Sequence, residues 1–79
     1  MNKDREEQRR FLNEQIQWCK EQDQILKEIE ARLYIMTDLV EYALIYDLNP
    51  NEITRVNFQL NELKKEVRSF NKQLYTILN

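Results

Sequence analysis

Residues 53–77 read ITRVNFQLNELKKEVRSFNKQLYTI. Within them Ile53, Val56, Leu60, Leu63, Val67, Phe70, Leu74 and Ile77 alternate spacings of three and four without a miss. On a helix this pattern puts every apolar side chain on one face, the a/d seam of a heptad repeat. Such a seam is stable only against another helix, and the rest of the chain supplies one.

Directly upstream lies the chain's only punctuation, Asp47-Leu48-Asn49-Pro50. Asn49 suits an N-cap, Pro50 the first helical position and Glu52 the third, a capping-box arrangement. Pro50 also disfavours helical geometry at Asn49, so a preceding helix must end there. Nothing between Asp4 and Tyr46 breaks a helix. The sequence therefore predicts one unit over residues 1–79, with a first helix at about 4–46, a turn at 47–49 and a second helix at about 50–78. A short connection makes the two antiparallel neighbours. The fold class is all-α, an antiparallel coiled-coil-like hairpin.

The first helix is longer than its partner, so residues 1–17 are expected to overhang the second helix. It is also more apolar than a simple hairpin requires. Its a and d positions hold Leu12, Cys19, Leu26, Ile29, Leu33, Met36, Val40 and Ala43, while a g row adds Phe11, Trp18, Ile25, Leu39 and Tyr46, interrupted by Arg32. A stripe this wide implies contact with more than one helix. Phe11, Leu12, Ile16, Trp18, Ile25 and Leu39 are accordingly expected to mediate self-association, giving a homodimeric four-helix bundle.

Composition agrees with long helices and narrows the function. The 79 residues include no Gly, no His and one Pro, and 33% are charged. The net charge of -2 argues against a nucleic-acid partner. No apolar run approaches the roughly 18 residues needed to cross a bilayer, and MNKDREEQRR is too polar for a signal peptide's core. The expectation is a cytoplasmic protein that contacts neither membrane nor nucleic acid. Abundant Asn and Gln beside scarce Ala point to an AT-rich bacterial or phage genome.

Catalytic chemistry finds little to work with. Without His there is no imidazole base, and without Gly no phosphate-cradling loop. One Cys and no His cannot build a thiolate-imidazole zinc site, and Glu28, Glu30, Asp38 and Glu41 lack the Glu-x-x-His motif of a di-iron bundle. No cofactor and no metal are expected. Cys19 reads as a small buried hydrophobe in the seam, the other reading being a reactive or intermolecular thiol.

Near the turn the first helix carries apolar residues on its outer face as well. Tyr34, Ile35, Asp38, Glu41, Tyr42 and Ile45, with Phe58 on the second helix, form a candidate partner-binding patch of aromatics rimmed by carboxylates. The bland alternative is that these side chains complete the homodimer core. No Lys or Arg occurs from Leu33 to Thr54, so this end is acidic. Arg55, Lys64, Lys65, Arg68 and Lys72 make the second helix basic, with the spacing of a solvated helix face.

The stretch from Ile29-Glu30 through Asp47-Leu48-Asn49-Pro50-Asn51-Glu52 to Leu60-Asn61-Glu62-Leu63 resembles a small bacterial family of two-helix aspartyl-phosphate phosphatases that act on a sporulation response regulator. That family's second helix carries Ser-Gln-x-Leu-Asp-x-Leu, which here reads Asn57-Phe58-Gln59-Leu60-Asn61-Glu62-Leu63. The resemblance implies a helical hairpin and a phosphorylated response regulator as partner. Both leucines are kept, but Asn61 stands where the family has its acid. The reading of the residues is therefore a non-catalytic interaction module of regulator, adaptor or chaperone-like type. A phosphatase-like regulator and a purely structural coiled coil are the alternatives.

Overall fold

A computed structural model describes residues 2–78, with side chains described through Leu74. The chain forms two helices, α1 (Asn2–Ile45) and α2 (Pro50–Leu78), and no strand among the described residues. They pack as a helical hairpin with overall dimensions of 71 × 20 × 11 Å.

The turn follows from its residues. Asn49 Oδ1 accepts a hydrogen bond from the Glu52 backbone N–H at 2.9 Å, and the Asn49 N–H points back at Glu52 Oε1 at 3.4 Å. These reciprocal bonds satisfy donors that the helix start would otherwise orphan. No described residue adopts positive φ, so the turn is made without any position that would call for glycine. Leu48 tucks inward, half-buried between the helices.

On α2 the expected seam faces α1. Val56 is 8% exposed, and Leu60, Leu63, Val67, Phe70 and Leu74 are half-buried, whereas Ile53 at the turn stays exposed. Ile77, the last member of the seam, lies outside the described side chains.

On α1 the seam differs from expectation. Apart from Glu28, half-buried beside Arg32, the buried and half-buried positions are Trp18, Gln22, Ile25, Ile29, Arg32, Met36, Leu39 and Ala43, again spaced by four and three. These are the g and d rows, so α1 is rotated by about 60° from an a/d seam. The a row faces outward instead: Leu26 and Leu33 are 52% and 49% exposed. Leu12 and Val40 are likewise exposed, and so is Cys19, expected to be a small buried hydrophobe. Ile25, expected to serve another copy, is 8% exposed inside the hairpin, with Trp18 and Leu39 half-buried beside it.

Arg32 explains how a charged residue can occupy this row. Its guanidinium carbon lies 4.6 Å from the Phe70 ring centroid, a cation–π contact. Nη1 donates to Glu28 Oε2 at 2.7 Å and to the Glu28 carbonyl at 3.1 Å. Nε sits 3.5 Å from Glu66 Oε2, within ion-pairing distance but outside hydrogen-bond geometry. The stem thus packs between the helices while the charge meets two carboxylates at the edge. Gln22, 9% exposed, leaves its Nε2 without a partner among the described residues.

Every described residue from 2 to 17 is exposed, and Trp18 is the first to be half-buried. Only two apolar side chains, Ile25 and Val56, fall in the buried class among the described residues. One helix pair is too thin to hide more.

Candidate interaction surfaces

With α2 along one side of α1, two other sides can be placed from the 100° per residue of the helix. The first is the a row together with the e row. Leu12, Ile16, Cys19, Asp23, Leu26, Glu30, Leu33, Thr37, Val40 and Leu44 again alternate spacings of four and three, and all are exposed. This stripe runs the length of the hairpin and lies about 110° round α1 from the α2 seam. At the turn end it meets α2 in a groove of 140 Å³ lined by Val40, Ala43, Leu44, Leu48, Ile53, Val56, Asn57 and Leu60.

The second is on the opposite flank. Ile35, Leu39, Phe58 and Leu63 line a groove of 410 Å³ with Gln59, Glu62 and Glu66 along its rim. Phe58, 64% exposed, stands on α2 beside Ile35 of α1, across the interhelical cleft. Tyr42 stacks on Tyr46, ring centroids 4.8 Å apart and planes tilted by 40°. Tyr42 shares the helical row of Ile35, so this aromatic pair continues the same flank toward the turn.

The residues expected to form one partner-binding patch therefore divide. Ile35 and Phe58 come together, joined by Leu39, which had been expected to serve self-association. Tyr42 lies on their flank. Tyr34, Asp38, Glu41 and Ile45 are exposed on the side of α1 turned away from α2. Of the residues expected to mediate self-association, Leu12 and Ile16 lie on the a/e stripe. Phe11 is exposed on the g row, one heptad before Trp18, the first half-buried residue of α1.

Sequence reading missed Leu44, Leu63 and Glu66 as surface-lining residues. Leu63 and Glu66 were absorbed into the seam and the solvated face of α2. Leu44 falls in the e row, which carries Asp23 and Glu30 and so does not register as apolar.

Lys65 Nζ is 3.2 Å from Glu62 Oε1, and Glu66 faces Arg32. On α1, Lys27 pairs with Asp23 at 3.0 Å on a strongly exposed surface. Pairs of this kind contribute little stability.

Asn57 and Asn61, which stand where the resembling phosphatases have Ser and Asp, are both exposed. Asn57 lines the turn-end groove rather than a carboxylate cluster. Among the described residues no group of three or more His, Cys, Asp or Glu could hold a metal ion, and no helix is long and apolar enough to cross a membrane. No protein-family model, curated protein or solved structure matches the chain.

Proposed function

We propose that this chain is a non-catalytic interaction module, a self-associating helical hairpin that regulates, adapts or chaperones another protein in the cytoplasm. The observation that supports it most is the groove of Ile35, Leu39, Phe58 and Leu63, apolar at its floor and edged by Glu62 and Glu66. Exposed aromatic and aliphatic side chains in a cleft supply binding energy, while a nearby field of one sign selects partners of the other. The partner that fits is a protein segment presenting apolar anchors flanked by Lys or Arg. Glu62 and Glu66 are matched by Lys65 and Arg32, so the negative field comes from the stretch Leu33 to Thr54, which holds no Lys or Arg.

The test is quantitative affinity capture from native lysate with three forms of the protein. Ile35→Ala with Phe58→Ala should lose a captured partner by at least tenfold, with helicity and sedimentation mass unchanged. Lys64→Glu with Lys65→Glu should keep it. The reverse pattern would assign recognition to the basic face of α2 and refute the groove.

A further inference from the structure

We infer that the a/e stripe of α1 is the surface on which a second copy of this chain packs, antiparallel, to close a four-helix bundle. The inference rests on the self-association proposed above and names its face and direction.

Area is the first support. The hairpin exposes 7018 Å² for a mass of 9.8 kDa, whereas a compact monomer of that mass exposes about 5,200 Å². The excess of roughly 1,800 Å² exceeds the approximately 800 Å² that each partner gives to a standard interface. Leu12, Ile16, Leu26, Leu33, Val40 and Leu44 concentrate much of the exposed aliphatic surface in one line.

Geometry is the second. A corner helix of a four-helix bundle must present two apolar faces about 90° apart. On α1 the α2 seam and the a/e stripe stand about 110° apart, as that position requires.

Charge gives the occupant and its direction. The stripe is apolar at both ends and acidic at its middle, where Asp23 and Glu30 interrupt it. A parallel pairing would set Asp23 against Asp23 and Glu30 against Glu30 of the second copy, like charges opposed along the seam. A two-fold axis near residue 28 instead sets Leu12 opposite Leu44 and Ile16 opposite Val40. The same axis sets Asp23 opposite Leu33 and Glu30 opposite Leu26, so no carboxylate of the stripe faces its own counterpart. The stripe thus avoids opposing like charges in one direction only, the antiparallel one, as an isologous contact of this kind requires.

Cys19 offers a direct reading, because the antiparallel axis sets it opposite Thr37 of the second copy. Both residues are exposed in the hairpin. Sedimentation equilibrium under reducing conditions should give a dimer for the wild type, Thr37→Cys, and Cys19→Ser with Thr37→Cys. On mild oxidation only Thr37→Cys, which keeps Cys19, should form a covalent dimer in high yield. Rapid covalent dimer from the wild type would show a parallel pairing and overturn the proposed direction. A dimer in which none of the three forms cross-links would overturn the face but leave self-association standing. A monomer mass would overturn self-association itself.

Discussion

Ile25 and Leu26 are neighbours in sequence, similar in size and alike in hydropathy, yet they stand on different faces of α1, 8% and 52% exposed. Truncating each to Ala removes three carbons from the same helix. At about 0.8 kcal/mol per buried methylene, Ile25→Ala should cost about 2–3 kcal/mol, including the cavity left between the helices. Leu26 in the hairpin is half wet already, so its truncation should cost about 1 kcal/mol. Alanine's better helix propensity offsets a few tenths in both. For a chain of this size each kcal/mol moves the melting midpoint by about 4–8 °C. The Ile25 variant should therefore melt roughly 5–15 °C below the Leu26 variant when both are followed by far-ultraviolet circular dichroism. The comparison belongs at the lowest workable protein concentration. Raising the concentration should enlarge the Leu26→Ala deficit as a second copy covers that site. A greater loss for Leu26→Ala than for Ile25→Ala at low concentration would mean that α1 packs on α2 through its a row. That result would refute the g/d seam.

Asn49→Ala removes the side-chain acceptor of the turn and should cost about 1 kcal/mol, measurable by urea unfolding, whereas Asn49→Asp should be close to neutral. Arg32→Ala should destabilise by about 2 kcal/mol through lost packing on Phe70, while Arg32→Met, which keeps the stem and drops the charge, should be near neutral. Equal losses for the two in thermal melts would mean that the charge rather than the stem holds the position. With Asn61 in place of an acid, the protein should leave a phosphorylated receiver domain intact in a radiolabel-release assay. Turnover surviving Asp38→Asn with Asp47→Asn would show that another residue acts.

The elements were legible because their signals were local. The α2 seam is a repeat of eight apolar residues, and the turn is a capping box on Asn49 and Glu52 beside the only proline. The rotation of α1 was not legible, because that helix carries apolar residues in three adjacent rows. Period alone identifies rows and does not say which one faces a given neighbour. Arg32 looked like an interruption of the g row. The structure shows that Phe70 and Glu66 on α2 provide what an inward arginine needs. Such reciprocity between distant residues has no local signature. The candidate binding patch was half legible for a related reason. Ile35 and Phe58 meet across the cleft, but Tyr34, Asp38, Glu41 and Ile45 share only sequence proximity with them.

The 71 Å length also governs how this protein looks in solution. Its radius of gyration is 20.1 Å, against about 12 Å for a compact chain of 79 residues. Doubling the mass of a compact globule enlarges that radius about 1.3-fold. A rod's radius is set almost entirely by its length, and a second rod laid alongside adds thickness. Small-angle scattering of side-by-side hairpins should thus show forward intensity doubling while the radius of gyration grows only slightly. Elution from a sizing column, which responds to shape, would overstate the mass of the single hairpin and understate the change on pairing.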